Sequence, residues 1–550
     1  MIKSKIKFIY IFFICYFFLG LLIYKDYGIG IEEHFQRQNG IYWLKKILTH
    51  FKLDDLNIIA LEKYDAIRFY DPSLPNINFF NFYGIAFDVP AAFIEVYLKI
   101  NDSKLYFELR HLFNFIFFFI SSFFFYLILK KRFRHKVVIF IGTIFYIINP
   151  RIFGDSFHNN IDIFFLSVLT ISIFFLFKYF EKQKLKNIIL LCFFAAIATS
   201  SRIMGLYLPI LLFIFMFTDY LAKKLLIKDF FQQTLLISFF YITFLYLHYP
   251  YMWKLNIFEF FSWFKAFFYH MNFRILFLGD YYHIKYLPRI YLPIWISISL
   301  PIYIFILFLI GYLLMFRRLL KRIINISQEL PIHSDLWRSI DEKKDLFIIL
   351  SLTLFLIFAT LLNTAMASGW RHFYFLHIFI IYVSIYSLNL ILLFCKKKKI
   401  NINVFKAVNI ILVFFIIKDI FIFHPYQSLY FNSLINSKNH YNFPKDTPSL
   451  TRSDALKFII KDGEDLIKIN VANASWTPLY NGQDLLNIYE KKKLIFVGQD
   501  YDKADYIYTN FDYEVDPRYN NKYYIPKEFN EIKKISIREI PIYSIYKKKK

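Results

Sequence analysis

Two adjacent acids, Glu32 and Glu33, follow the first apolar run of the chain, residues 8–24. A carboxylate held at the level of lipid headgroups loses part of its hydration, which raises its pKa. Such a group is suited to act as a general base that removes a proton from a hydroxyl or an amine. The alternative interpretation is an ordinary acidic cap at the start of a helix beside a membrane.

A second polar group lies at residues 150–162, PRIFGDSFHNNID, at the edge of an apolar stretch. On one continuous helix, the side chains at i, i+3, i+4 and i+7 share a face, and these are Asp155, His158, Asn159 and Asp162. That face could position a sugar, orient a base or hold a divalent metal, although His158 and Asp162 alone do not complete a metal site. The plainer alternative is a capped helix start whose polar face meets water.

Three basic side chains, Arg202, Arg371 and His372, also stand beside apolar runs. A guanidinium stays charged and engages phosphate oxygens through a fork of N–H donors, so an arginine here would stabilise a departing lipid phosphate. The alternative is that each arginine extends along the membrane toward the headgroups. Ionisable residues at membrane depth are costly, and they therefore mark a functional site.

The composition indicates that the bilayer is the main solvent of this chain. Of its 550 residues, 57% are hydrophobic, 22% are aromatic and only 19% are charged, and the mean hydropathy is +0.42. These values exclude a soluble enzyme and a disulfide-built scaffold. The net charge of +25 sits in short basic blocks between apolar runs, which is typical of cytoplasmic loops and not of a nucleic-acid groove.

The apolar runs recur at close to the roughly 20 residues that cross a bilayer. They predict about eleven membrane-spanning helices, at residues 8–24, 110–129, 137–150, 161–180, 187–200, 203–219, 231–250, 291–316, 346–366, 371–395 and 404–424. Residues 83–98 are hydrophobic too, but Asp88, Pro90 and Glu95 predict a helix that lies along the membrane surface.

With the amino terminus in the cytoplasm, every strongly basic short loop falls on the cytoplasmic side, at residues 130–136, 181–186, 223–228, 317–344 and 396–399. Residues 25–107 then form a long first extracytoplasmic loop with juxtamembrane helices, and the site candidates face outward. We predict a multi-pass protein of the plasma (inner) membrane. Its membrane domain comprises residues 1–424, and its extracytoplasmic α/β tail domain comprises residues 425–550.

The pattern of the tail predicts strands at residues 466–471, 494–497 and 505–509 and a terminal hairpin at residues 535–546. The tail contains no glycine-rich phosphate loop.

At these residues the chain resembles the GT-C superfamily of polytopic glycosyltransferases, in the branch of the protein O-mannosyltransferases and the lipid A aminoarabinose transferase. The resemblance begins with the acidic pair in the first loop, PRIFG at residues 150–154, Asp162 and Ser201-Arg202. It continues with LPRIYLP at residues 287–293, GWRHF at residues 369–373 and HPYQSLYFN at residues 424–432.

The resemblance implies an inverting transfer of a hexose or pentose from a polyprenyl-phosphate donor on the extracytoplasmic face, in cell-envelope glycosylation. The acceptor would be a glycan, a lipid or a protein, and the other partners would be membrane lipids and no nucleic acid. The family's first-loop acid is the base, which falls here on Glu32. The family usually has Asp followed by Glu, so either Glu32 or Glu33 could hold that position.

Arg202, or Arg371 with His372, would stabilise the leaving phosphate, and Asp155 and Asp162 would position the sugar, the acceptor or an optional divalent metal. The alternative function is a polytopic transporter or a lipid flippase, which also needs many spans and buried charges.

Overall fold

A computed structural model of the protein describes residues 8–70, 83–254, 274–324, 336–361, 366 and 369–549. Some regions used in the sequence predictions extend beyond these ranges, among them the first loop at residues 25–107, the basic loop at residues 317–344 and the predicted span at residues 346–366.

The described chain is mostly helical. Its helices are α1 (Phe8–Ile23), α2 (Glu33–His50), α3 (Asp54–Tyr70), α4 (Asp88–Tyr97), α5 (Ser103–Arg132), α6 (Lys136–Ile147), α7 (Pro150–His158), α8 (Asp162–Glu181), α9 (Leu185–Ser201), α10 (Tyr207–Leu221), α11 (Ile227–His248), α12 (Tyr291–Ser299), α13 (Ile302–Ile324), α14 (Ile340–Leu361), α15 (His377–Lys397), α16 (Ile402–Phe423), α17 (Arg452–Asp462) and α18 (Ile488–Lys493).

Among the described residues, seven helical segments are long and apolar enough to cross a membrane, namely Ser103–Arg132, Asp162–Glu181, Ile203–Leu221, Ile227–His248, Ile302–Ile324, Ile340–Leu361 and Arg371–Lys397. The bent pair α6 and α7 makes up to eight, and α1 and α9 are shorter apolar helices. The predicted helical membrane architecture is therefore confirmed. The count of about eleven spans stays a prediction.

One predicted span is wrong as a single helix, since the run at residues 291–316 is divided between α12 and α13. The predicted span at residues 137–150 corresponds to α6 and ends where α7, bent by 55° from α6, begins. In each case the break precedes a proline. Asn149, before Pro150, is extended at φ −62° and ψ 115°, and Leu300, before Pro301, is extended at φ −86° and ψ 142°. A residue that precedes proline is pushed out of the helical region by the proline ring.

The first loop, for which juxtamembrane helices were predicted, contains three described helices, α2, α3 and α4. Residues 88–97 form the short helix α4, which buries Asp88 and Glu95 against other protein elements. A helix of 10 residues is too short to span a bilayer, and its position along the membrane surface stays a prediction.

The predicted cytoplasmic loops meet at one end of the helical bundle. Arg132 Nε and Nη2 donate hydrogen bonds to the two carboxylate oxygens of Asp345, each at 2.7 Å. Lys344 Nζ donates to Glu181 Oε1 at 2.8 Å. We call this the paired end, defined by Lys131, Arg132, Glu181, Arg318, Glu342, Lys344 and Asp345. Asp162 and Glu181 begin and end the 20-residue helix α8, so Asp162 lies about 30 Å from the paired end.

A five-stranded sheet follows the membrane helices and confirms the small carboxyl-terminal sheet domain. Its strands are β3 (Ile469–Asn473), β4 (Leu494–Gly498), β5 (Tyr506–Thr509), β6 (Phe529–Ile537) and β7 (Ile540–Lys548), whereas β1 (Arg274–Phe277) and β2 (Asp280–His283) form a separate hairpin.

The order in the tail sheet is β4-β3-β5-β7-β6, in which β3 runs parallel to β4 and β5, and β7 is antiparallel to β5 and β6. The first predicted strand begins at Ile469 and not at Leu466. The predicted terminal hairpin is present, and it turns through Arg538 and Glu539, whose φ angles of 50° and 65° suit a tight two-residue turn.

Candidate active site

The loop before helix α2 gives the two adjacent acids different surroundings. Glu33 is 2% exposed; its Oε1 accepts a hydrogen bond from Gly30 N at 2.7 Å, and its Oε2 lies 3.1 Å from His111 Nε2. The Glu32 side chain is 35% exposed, and its carboxylate pairs with the Arg371 guanidinium. Glu33 thus fixes the loop internally, whereas the Glu32 carboxylate remains accessible.

Helix α2, which begins directly after Glu32, is held by buried polar contacts. Arg37 Nε donates to Glu95 Oε2 at 3.0 Å, and Asn39 Nδ2 donates to Asp88 Oδ2 at 3.1 Å. Burial would raise the pKa of Glu95, but the charge and hydrogen bonds of Arg37 together with the charges of Lys63 and Arg110 outweigh burial, and the pKa is lowered. Burial raises the pKa of Asp88 to about 6. These contacts dock α2 against α4 and so fix the first turn beside Glu32.

Arg371 connects the first loop to the membrane helices. Its guanidinium contacts Glu32, and its Nε lies 3.2 Å from Asp162 Oδ2. Arg202 Nη2 in turn lies 2.5 Å from Asp162 Oδ1. The result is a row of alternating charges, Glu32, Arg371, Asp162 and Arg202. A carboxylate as buried as Asp162 must be paired, and two guanidinium groups meet that requirement.

The expectation that Asp155, His158, Asn159 and Asp162 share one continuous helix face is wrong. Helix α7 ends at His158, and α8 begins at Asp162. The Asn159 side chain accounts for the break, because its Oδ1 accepts from Asp162 N at 3.0 Å while its Nδ2 donates to Asp162 Oδ2 at 3.2 Å. An asparagine that binds nearby backbone in this way competes with helix continuation.

The break still brings polar side chains together. His158 Nε2 lies 3.1 Å from Asp155 Oδ1 and 2.8 Å from Ser428 Oγ, which belongs to the turn after α16. Ser428 lies within the HPYQSLYFN segment, so sequence resemblance pointed to its neighbourhood but gave this residue no role.

A cavity of about 20 Å³ lies beside Glu32, and its walls are formed by Gly30, Ile31, Glu32, Asp155, His158, Asn159, Asn160, Arg371 and Pro448. Asn160 Nδ2 is buried in this wall and makes no hydrogen bond, whereas Asp155 Oδ1 and Arg371 Nε are engaged by His158 and Asp162. A buried polar atom is rarely left without a partner, so the wall offers at least one donor to a polar ligand.

Five of the predicted site residues therefore line one cavity: Glu32, Asp155, His158, Asn159 and Arg371. Four others lie outside its lining, namely Glu33, Asp162, Arg202 and His372. Asp162 and Arg202 support Arg371 through the row of charges, and His372 interacts electrostatically with both of them. Pro448 was not predicted as a site residue. It lies in the tail, where only a turn-like composition, DTPS at residues 446–449, distinguishes it.

The predicted site included an optional divalent metal, which would need several ligand side chains close together. Across the described ranges of the chain, no group of three or more His, Cys, Asp or Glu side chains is placed to hold a metal ion. The two acids closest to Arg371 use their oxygens to bind its guanidinium. The chemistry that this geometry offers is therefore a carboxylate and a guanidinium side by side at a cavity with polar walls.

Comparisons with known proteins support a glycosyltransferase resemblance for part of the chain. Residues 89–247 match the family model described as dolichyl-phosphate-mannose-protein mannosyltransferase. The matched segment includes Asp155, Asp162 and Arg202 but neither Glu32 nor Arg371, and it covers less than a third of the chain. The predicted resemblance to GT-C glycosyltransferases is confirmed over this segment.

None of the curated proteins matches the chain. Among solved structures, ArnT from Cupriavidus metallidurans bound to undecaprenyl phosphate is similar over 97% of this chain and 97% of its own, with 8% sequence identity and a TM-score of 0.44. A likeness of this size carries no argument about the site or the activity.

Proposed function

We propose that this protein is a membrane glycosyltransferase that moves a sugar from a polyprenyl-phosphate donor to an acceptor at the extracytoplasmic face, with inversion. The observation that carries the proposal is the position of Glu32. Its partly exposed carboxylate lines a polar-walled cavity beside Arg371. The match of residues 89–247 to a mannosyltransferase family supports the same class of reaction.

Glu32 is the general base. In the transfer step it accepts the proton of the acceptor hydroxyl or amine, while the acceptor atom forms a bond to the anomeric carbon. The bond between that carbon and the phosphate oxygen breaks, and its electron pair leaves with the polyprenyl phosphate. Attack from the face opposite the departing phosphate inverts the anomeric centre. Glu33 does not compete for this role, since its carboxylate is engaged by Gly30 and His111.

Arg371 stabilises the leaving phosphate. In the present arrangement its guanidinium binds Glu32, and a donor phosphate would compete for the same N–H donors. When phosphate binds, Glu32 is released from Arg371 and becomes free to accept a proton. Asp162 and Arg202 keep Arg371 in place through the exchange, because the Asp162 carboxylate contacts both guanidinium groups.

We call the end of the bundle that carries Glu32, Asp162, Arg202 and Arg371 the site end. In the proposed orientation the site end lies outside the cell, and the paired end and the amino terminus lie in the cytoplasm. The membrane is the plasma membrane. The support is the separation of charge along the bundle. The basic loops collect around Asp345 and Glu181, while Glu32 and Arg371 lie at the other end of the same helices. An excess of Lys and Arg in short loops favours the cytoplasmic side.

The test is a transfer assay with purified protein reconstituted in lipid, given a panel of radiolabelled polyprenyl-phosphate sugars and a membrane extract as acceptor source. Wild-type protein is compared with Glu32→Gln and Glu33→Gln. We expect Glu32→Gln to lower transfer by about 10²- to 10⁴-fold with an unchanged thermal midpoint. Glu33→Gln, which weakens a buried contact with His111, lowers the thermal midpoint and keeps most of the transfer per folded molecule.

Transfer that persists at the wild-type rate in Glu32→Gln would contradict the assignment of the base. Movement of labelled lipid across the bilayer without sugar transfer would favour the alternative of a transporter or flippase.

A further inference from the structure

Arg452 is a buried arginine in the tail that contacts the loop before Glu32. It begins helix α17, it is 1% exposed, and its guanidinium donates to three backbone carbonyls. Nε donates to Ser449 O at 2.9 Å, Nη1 to Pro478 O at 2.8 Å and Nη2 to Ile29 O at 2.9 Å. Ile29 lies three residues before Glu32, so one side chain of the tail joins two tail segments to the acidic loop.

The backbones of the two regions also touch directly. Ile31 N donates to Pro448 O at 3.0 Å, immediately before Glu32. A Cβ atom at Gly28 would lie 2.0 Å from Leu450 O, so only glycine allows this approach. Since Pro448 lines the cavity together with Glu32, the tail forms part of the wall around the carboxylate.

The tail segment that contacts the loop before Glu32 is held by hydrogen bonds within the tail. Asp446 is fully buried, and its carboxylate accepts from Leu450 N at 2.9 Å and from Thr451 N at 3.1 Å. These bonds close the turn from which Pro448 and Leu450 reach the loop. Arg452 follows that turn directly, so its guanidinium is held on the same support as Pro448 and Leu450.

The contacts of Arg452 indicate why an arginine occupies this position. Across the described ranges, no Asp or Glu lies within ion-pair distance of Arg452; its guanidinium is bound by three backbone carbonyls, and Asp446 and Glu33 act on its charge only at longer range. Burying a charge without a carboxylate in direct contact is costly and contributes little stability. The planar guanidinium binds three backbone segments at once and so fixes their distances from one another, which a lysine ammonium cannot do.

We propose that Arg452 is a positioning residue, through which the tail sets the backbone of residues 29–32 and therefore the place of the Glu32 carboxylate in the cavity. The inference rests on the proposed role of Glu32 as base and gives the tail a part in catalysis. Arg452 itself touches no reacting atom. Displacing a catalytic group by about 1 Å lowers turnover by about 10²-fold.

The experiment compares Arg452→Met, Arg452→Lys and the control Lys457→Met in the full-length protein reconstituted in lipid. Lys457 lies on the same helix with its side chain 53% exposed. We measure kcat, KM for the donor, and the thermal midpoint. We expect Arg452→Met to lower kcat by about 10- to 100-fold with little change in KM, Arg452→Lys to recover part of the loss, and Lys457→Met to behave as wild type.

A merely structural role predicts a different pattern, in which the thermal midpoint falls while kcat per folded molecule stays at the wild-type value. That result would overturn the proposal. If Arg452→Met does not fold, Arg452→Lys and Gly28→Ala apply the same test, since a methyl group at Gly28 displaces the loop from Leu450 without altering Arg452.

Glu32→Gln, assayed in parallel, separates the two proposals. If Glu32→Gln keeps its turnover, the proposed function itself fails. If Glu32→Gln loses turnover while Arg452→Met keeps it, the base assignment stands and the positioning role is wrong.

Discussion

Helix α8 begins in one network of ion pairs and ends in another, and the two networks differ in what their acids can do. At the carboxyl-terminal end of α8, Glu181 accepts a hydrogen bond from Lys344. The neighbouring Asp345 accepts two hydrogen bonds from Arg132 and one from Tyr382. At its beginning, Asp162 is also paired.

The site end, however, includes an acid with one cation partner. Among the described residues, Glu32 has a single ion-pair partner, Arg371, and its side chain is 35% exposed beside a cavity. The paired end has a cavity too, of about 30 Å³, but much of its wall is aliphatic, and its partly exposed acids, Glu181 and Glu342, each bind two cations. The proposed site therefore rests on a carboxylate that one exchange of partners can release, and not on a buried ion pair as such.

The largest effect on stability is expected at the paired end, from Asp345→Asn. This change leaves Arg132 without the acid that accepts two of its bonds, whereas Arg318 keeps Glu342. Asp345 is 6% exposed, and breaking a buried pair costs about 3–5 kcal/mol. We expect a clearly lower thermal midpoint in detergent and normal turnover per folded molecule. An unchanged midpoint would show that the paired end does not stabilise the bundle.

Arg371→Gln is expected to act on the reaction and not on folding. Asp162 retains Arg202 and Glu32 remains hydrated, so little stability is lost. Removal of a preorganised group that stabilises transition-state charge lowers turnover by about 10²- to 10³-fold. The matched control is Arg132→Gln at the paired end, for which we expect the reverse pattern. Similar kinetic losses in both variants would contradict the distinction between the two ends.

Tyr382→Phe tests a single bond of the paired end. The Tyr382 hydroxyl donates to Asp345 Oδ1 at 2.8 Å in a buried setting, and a hydrogen bond to a charged group contributes about 1.5–3 kcal/mol. The thermal midpoint should fall by less than in Asp345→Asn. A loss as large as that of Asp345→Asn would mean that the hydroxyl, and not the arginine pair, holds this carboxylate.

The smallest effect is expected for Lys131→Met. Lys131 pairs with Glu181, but both side chains are partly exposed, at 22% and 28%, and Glu181 keeps Lys344. Ion pairs near the surface contribute about 0–1 kcal/mol, so the thermal midpoint should change little. A large loss would show that this pair is screened from solvent.

Much of the membrane fold could be predicted because a helix that crosses lipid requires a long apolar run. The error was at Pro301, where hydrophobicity continues but the backbone cannot remain helical in the preceding residue. This proline is visible in the sequence, so the break could have been predicted from local sterics. The strand at Ile469 was placed three residues too early because Leu466 and Ile467 are apolar yet exposed.

The site was predictable only in part. Charged residues in apolar surroundings pointed to Glu32, Asp162 and Arg371, but their pairing could not be derived, since Glu32 and Arg371 are 339 positions apart in the chain. Arg452 gave no signal, because an arginine in a polar tail is unremarkable until its burial is known. The difference between Glu32 and Glu33 likewise depends on a tertiary contact, that of Glu33 with His111.

The most direct test of the account measures turnover per folded molecule and thermal midpoint in Glu32→Gln and Asp345→Asn, in the same lipid and with the same donor. We predict that Glu32→Gln loses turnover at an unchanged midpoint, whereas Asp345→Asn loses stability and keeps turnover per folded molecule. Wild-type turnover in Glu32→Gln, or a specific loss of turnover in Asp345→Asn, would contradict the assignment of the chemistry to the site end.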